Sequence, residues 1–180
     1  MKKRRPSPAD SGKENEMDEI YTRVSVRQFE DRPVEKDKID KILSAAMQSP
    51  SAGDEEAWRF YVVMDRDMLE KLSKASPYAS PAAHAPAALV ISWDRESLRF
   101  PEFGEIDCAI ASENVLLAIE GLDLGGVMLG IAPIRERMDA VHTILRMSAN
   151  EEAFTVIPFG YLKCKGKAGS RFDSKKVHYL

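Results

Sequence analysis

Residues 106–122 read IDCAIASENVLLAIEGL. Their apolar side chains, Ile106, Cys108, Ala109, Ile110, Ala111, Val115, Leu116, Leu117, Ala118, Ile119 and Leu122, fall on most of the circumference of a helix. A helix apolar on nearly all sides is buried on nearly all sides. The chain has 180 residues, enough for one domain with one substantial core. A second buried face on this helix therefore points to a subunit interface.

Upstream of the helix, residues 87–92 (AALVIS) read as a buried strand, and residues 60–64 (FYVVM) as another. Between them, residues 67–75 carry Met68, Leu69 and Leu72 at helical spacing, and residues 76–86 are rich in Pro and Ala. Residues 93–105 hold Pro101 and Gly104 and read as a loop over a pocket. Further upstream, Asp37 suits the N-cap of a helix that turns Ile39, Ile42, Leu43, Ala46 and Met47 inward. That helix stops at Ser49, because the residue before a proline is pushed out of the helical region.

Downstream, residues 125–131 (GGVMLGI) read as a strand opened by glycines. The spacing is not that of a dinucleotide or phosphate-loop fingerprint, since the glycines precede and interrupt the strand instead of joining it to a helix. Pro133 suits the first turn of a helix running to Met147, with Ile134, Met138, Val141 and Leu145 on its inner face. Residues 155–162 form a last strand, and Pro158 places it at an edge or a bulge. The alternation predicts an α+β or α/β domain with a central sheet and helices on both faces.

Composition bounds the function. The net charge is −3, so the whole molecule has no electrostatic bias towards nucleic acid or an anionic membrane, and any anion site must be local. Cys108 and Cys164 lie far apart without CxxC or Cys/His spacing, which indicates neither a disulfide framework nor a zinc site. No apolar run reaches the length of a membrane span, and the start lacks the apolar centre of a secretory signal, so a cytoplasmic protein is expected. Residues 1–16 (MKKRRPSPADSGKENE) hold almost no apolar side chain and are expected to be a disordered tail ahead of a single domain over 17–180.

One stretch offers a local anion site. If Arg23-Val24-Ser25-Val26-Arg27 runs extended, period two puts Arg23, Ser25 and Arg27 on one face and Val24 and Val26 on the other. Two guanidinium forks flanking a hydroxyl suit a phosphate, while the valines anchor in the core. A solvated basic edge strand would show the same pattern. A second stretch, Ser49-Pro50-Ser51-Ala52-Gly53-Asp54-Glu55-Glu56-Ala57-Trp58, is small and turn-rich where helix passes to strand. There the backbone can approach a flat ligand closely.

In order along the chain, Arg23-x-Ser25-x-Arg27-x-Phe29, Ser49-Pro50-Ser51-Ala52-Gly53-Asp54-Glu55-x-x-Trp58-x-Phe60, Asp107-Cys108-Ala109 with Glu113-Asn114, Gly126-Val127-x-Leu129-Gly130, Gly160-Tyr161 and Arg171-Phe172-Asp173 resemble the FMN-dependent nitroreductase-like flavoproteins. The resemblance covers residues 18–179. It implies a layered α/β/α arrangement of α+β class, with a mainly antiparallel sheet and a long buried central helix, and a homodimer binding FMN at the subunit interface. By the resemblance, Arg23, Val24, Ser25, Arg27 and Arg171 hold the phosphate and ribityl chain. Pro50, Ser51 and Ala52 contact the ring from the other subunit, and Asp54 accepts from the ring imide. Leu129 and Gly130 lie near the reactive ring nitrogen.

The implied activity is a ping-pong oxidoreductase: NADH or NADPH reduces the flavin, then a small oxidised acceptor such as a nitro compound or quinone takes its place. No acid/base pair of protein residues is needed. Glu56-Ala57 stands where many members have Gln-Pro, and Met128 where close relatives often have tryptophan. These departures bear on substrate preference, and leave as alternatives a flavin-binding protein without turnover or a different flavin reaction such as dehalogenation.

Overall fold

The computed structural model describes residues 18–180. The tail expected over 1–16 lies outside them. Chain order is α1 (Asp18–Thr22), α2 (Lys36–Met47), β1 (Trp58–Val63), α3 (Arg66–Leu72), β2 (Ala87–Asp94), α4 (Gly104–Gly121), β3 (Gly125–Gly126), β4 (Leu129–Gly130), α5 (Arg135–Leu145) and β5 (Glu151–Gly160). β2 and β5 form the middle of an antiparallel sheet of order β1-β2-β5-β3, with β4 also on β5. Every residue of β2 but the last is buried, and so is every residue of β5 but Glu152. Such strands need cover on both faces. α4 packs on the sheet with α2 against it, and α5 packs on β5 with α3 beside it.

α4 is the helix that the apolar run announces, begun two residues earlier, at Gly104. Its inner face buries Cys108, Ala111, Val115 and Ile119. Within one chain the other face stays open, with Ile106 51% and Ile110 36% exposed beside Phe100 and Phe103. Among the described residues, no helix is long and apolar enough to cross a membrane.

Several local expectations are corrected. The chain forms the short helix α1 ahead of Arg23, which period alone does not reveal in five residues. α2 starts one residue before Asp37, so Asp37 lies in its first turn and Glu35 holds the cap position without a side-chain cap bond. Met47, the last helical residue, is 51% exposed instead of turned inward. Trp93 and Asp94 continue β2, and two 3₁₀ turns, Arg95–Ser97 and Pro101–Phe103, carry the following loop.

Residues 125–131 are not one strand. β3 and β4 flank Val127 and Met128, which fall opposite Pro158 and Ile157. The same proline is the centre of a second correction, because β5 is interior to the sheet and not an edge. Pro158 lies across from Ala88 on β2, and its carbonyl accepts from Val127 N–H at 3.3 Å on the other side. A strand residue directs its N–H and C=O to one side, so the N–H that proline lacks faces the break between β3 and β4. Pro133 also precedes its helix, since Ile134 is extended (φ −85, ψ 106) and 40% exposed and α5 opens at Arg135.

Where β5 ends, Tyr161 O–H donates to Glu35 Oε2 at 2.7 Å and Arg32 donates to Oε1 at 3.0 Å. These bonds, Tyr161 foremost, hold the Glu35 carboxyl down at about 2 from its ordinary 4.5. A depressed carboxyl stabilises the fold above its unfolded value, and that contribution is lost as pH falls from about 4.5 towards 2. Glu35 is solvent-facing, so the contribution is screened and small. Glu35→Gln is expected to flatten the acid limb of a plot of unfolding midpoint against pH across that window, by slightly lowering the midpoint at neutral pH and leaving it unchanged at the acid end. An unaltered acid limb would show that the Tyr161 bond does not persist in solution.

Candidate functional site

The stretch from Arg23 to Phe29 is stitched onto the sheet edge. Ser25 bridges Gly126 in parallel, Val26 N–H donates to Gly126 O at 2.9 Å, and Phe29 bridges Leu162. Glycine is required beneath it, because a Cβ on Gly125 would lie 2.7 Å from the Cβ of Val26. Val26, Phe29 and Ala85 form a small buried cluster with Val24 and Leu162 against it. Arg23, Ser25 and Arg27 therefore share the outward face, with the valine side chains turned inward. Only the backbone of Val24 is left to face a ligand.

Two depressions adjoin this strip. The first, about 520 Å³, is lined by Arg23 and Arg171 together with Ile20, Tyr21, Ser170 and Phe172. The second, about 480 Å³, is lined by Arg27, Val127 to Gly130, and Pro77, Tyr78, Ser80 and Pro81. Arg23 is 20% exposed and pairs with Glu113 on α4 at 3.4 Å. The side chains of Arg27 and Arg171 have no partner among the described residues. Gly130 opens onto free space, with nothing within 4 Å of where a Cβ would stand. Arg137 donates to Gly130 O at 2.9 Å and sits 5.8 Å from the Tyr78 ring, so it braces both walls of the second depression. Met128, one of the departures noted above, is 39% exposed in this wall.

The turn-rich stretch sits elsewhere on the chain, at the first turn of α4. Ala52 N–H donates to both oxygens of Asp107, at 3.1 and 3.3 Å, and burial pushes that carboxyl above its usual range. Ser51 Oγ accepts from Glu56 N–H at 3.0 Å. Gly53, Asp54 and Glu56 adopt positive φ of 60°, 57° and 48°, a tight reversal that leaves Pro50 and Asp54 exposed. Arg99 clamps it by donating to Glu55 Oε1 through both its N–H and Nε at 3.0 Å, and to Gly53 O at 2.9 Å. The Glu55 side chain is only 3% exposed against Arg99, whereas Asp54 and Glu56 are both exposed and put their charges into solvent here. Asn114 ties the end of α2 to α4 by donating to Ala45 O and Ser49 Oγ. Neither depression has a residue of 50–54 in its lining.

One chain thus brings Arg23 to Arg171, and Arg27 to Leu129 and Gly130, but joins neither set to Pro50, Ser51, Ala52 and Asp54. Sequence reasoning missed Tyr78 and its neighbours, for which the only signal was a Pro- and Ala-rich connection. Among the described residues no group of three or more His, Cys, Asp or Glu could hold a metal ion, and Cys108 and Cys164 are free.

With this geometry established, similarity to known proteins decides the family. The model of the Nitroreductase family matches residues 20–79 and 77–161. The chain belongs to the nitroreductase family. It is similar to a Methanothermobacter thermautotrophicus protein named NADH dehydrogenase/NAD(P)H nitroreductase, at 39% identity over 93% of this chain and 89% of that one. A solved structure described as an NADH oxidase from Clostridium acetobutylicum superposes with a TM-score of 0.86 at 42% identity, covering 89% of this chain and 97% of that one. An FMN-dependent nitroreductase from Clostridium difficile gives 0.84 at 29% identity, over 89% and 96%. The mainly antiparallel sheet around a long central helix is the arrangement of this nitroreductase fold, and the family is one of oxidoreductases.

Proposed function

We propose that the chain is an FMN-dependent NAD(P)H oxidoreductase that works as a homodimer with one flavin site at each end of the interface. The observation that carries this reading is the outward row Arg23, Ser25 and Arg27, running between two depressions, with Arg27 and Arg171 left without a partner among the described residues.

The residues present fit FMN. Arg23 and Arg171 converge on the first depression, where two guanidinium groups suit a phosphate dianion. Ser25 and the Val24 backbone follow along the strip and suit a polyol chain. Arg27, Leu129 and the open face of Gly130 mark the second depression, where a flat ring would lie. A ring held from one side only would leave its other face in water. Exposed Ile106, Ile110, Phe100 and Phe103 next to the loop at 50–56 give a second copy an apolar surface to cover, and that copy's Pro50, Ser51 and Ala52 would close the ring pocket. Asp54, exposed at the apex, would accept the imide hydrogen bond.

Bound FMN would supply the redox chemistry, taking a hydride from NADH or NADPH and giving it to a small oxidised acceptor such as a nitro compound or quinone. The protein's part is positioning. Asp107 fixes the backbone at Ala52, Arg99 fixes the reversal at Gly53, and Arg137 fixes Gly130 against Tyr78.

An absorption spectrum of purified protein, recorded before and after anaerobic addition of each nicotinamide, tests the proposal. A flavin spectrum that bleaches is expected. Colourless protein that takes up no added FMN would refute flavin binding, and a bound flavin that neither donor bleaches would leave a binder without turnover. Sedimentation equilibrium reads the dimer separately.

A further inference from the structure

We propose that a basic groove beside the ring depression receives the phosphates of the nicotinamide dinucleotide, an inference that rests on the flavin-oxidoreductase reading above. The groove, about 580 Å³, is lined by Arg27, Arg66, His84 and Lys163, with Asp31 its single carboxylate and Gln28, Phe29 and Ala83 between them. Arg27 belongs to this lining and to that of the ring depression, so the two spaces adjoin.

Its permanent cations, Arg27, Arg66 and Lys163, outnumber the one carboxylate of the lining, Asp31, in a chain whose net charge is −3. Several arginines elsewhere meet carboxylates: Arg23 meets Glu113, Arg59 meets Asp94, Arg99 meets Glu55, and Arg95 and Arg135 share Glu152. In the groove, the Arg27 and Lys163 side chains have no acidic partner among the described residues. Arg66 binds only neutral carbonyls, donating from Nη1 to Ala83 O at 2.9 Å and Ala85 O at 3.2 Å. Those two bonds fix the guanidinium plane and leave its other nitrogens without a partner among the described residues. A guanidinium held this way presents its remaining donors with little further loss of freedom.

A donor whose nicotinamide stacks in the ring depression carries its pyrophosphate one ribose away. The positive space that borders that depression through Arg27 is where such an anion gains most.

Steady-state kinetics of the FMN-loaded enzyme test the assignment. Lys163 is exposed and its side chain has no partner among the described residues, so Lys163→Glu is expected to fold. Its KM for both NADH and NADPH should rise roughly tenfold, the size of one charge-assisted hydrogen bond, with kcat unchanged. Arg66→Gln should do the same. KM for the phosphate-free donor 1-benzyl-1,4-dihydronicotinamide, and the affinity for FMN, should not move. A rise confined to NADPH would also support the proposal, with the 2′-phosphate as the group bound.

Unchanged KM for both dinucleotides would overturn it. Loss of FMN retention in Lys163→Glu would overturn it too, by assigning the groove to the flavin's own phosphate. Wild-type enzyme reduced by the phosphate-free donor but by neither dinucleotide refutes the groove assignment alone. Wild-type flavin that no donor reduces refutes the oxidoreductase reading itself.

Discussion

Gly125→Ala is expected to lower both the unfolding free energy and the affinity for FMN. The new carbon would lie 2.7 Å from Val26 Cβ and 2.7 and 2.8 Å from its two methyl carbons, far inside the 3.5 to 4.0 Å at which carbon atoms attract. Val26 is 5% exposed and backed by Phe29 and Ala85, so it has no free direction in which to turn. Relief requires the stretch from Arg23 to Phe29 to lift from β3, breaking the bond from Val26 N–H to Gly126 O. Overpacking of this kind costs about 1 to 3 kcal/mol. Arg23, Ser25 and Arg27 ride on the same backbone, so FMN affinity should fall with it.

Gly130→Ala separates the two effects. Nothing lies within 4 Å of its Cβ position, so unfolding should stay within about 0.5 kcal/mol of wild type. The added methyl would still enter the space proposed for the ring and weaken FMN. Urea unfolding and a flavin fluorescence titration read both variants. Wild-type stability in Gly125→Ala would show that the strip is not seated on β3 as described. Wild-type FMN affinity in Gly130→Ala would put the ring elsewhere.

How much of this was legible in the sequence depends on how local each cause is. α4 and β2 announce themselves because burial on all sides writes an unbroken apolar run. The outward face of the strip follows from period two once the stretch is extended. β5 was misplaced because Pro158 was weighed without its neighbours. A proline is excluded from a central strand only if a partner needs its N–H, and the break between β3 and β4 is written thirty residues upstream, at Val127 and Met128. The second depression was missed for a like reason, since its far wall is Pro77 to Pro81, a stretch with no periodicity that α3 and β2 set in place. Asp54 and the small residues at 50–52 are readable as a turn, but nothing local says that they stand apart from Arg27 within one chain. That separation follows from Asp107 capturing Ala52 N–H across fifty-five positions.

Arg27→Ala is the second change expected to have a large effect, and its cause is easier to isolate. Arg27 is exposed and has no partner among the described residues, so its removal breaks nothing in the free protein, and unfolding should be unchanged within about 0.5 kcal/mol. FMN binding should weaken by about 1.5 to 3 kcal/mol, roughly ten- to 150-fold. Arg23→Ala would be harder to interpret, since it also strips Glu113 of its partner. The choice of flavin locates the contact. Arg27 lines the ring depression, and Arg171 lines the depression it shares with Arg23. Arg27→Ala should therefore weaken riboflavin and FMN alike, whereas Arg171→Ala should weaken FMN and spare riboflavin, which lacks the phosphate. Arg27→Lys should recover only part of the loss, because an ammonium restores the charge without the planar fork. If Arg27→Ala spares riboflavin and Arg171→Ala does not, the cofactor runs along the strip in the opposite direction. If neither changes FMN affinity, the row of Arg23, Ser25 and Arg27 is a solvated edge and the cofactor site lies elsewhere.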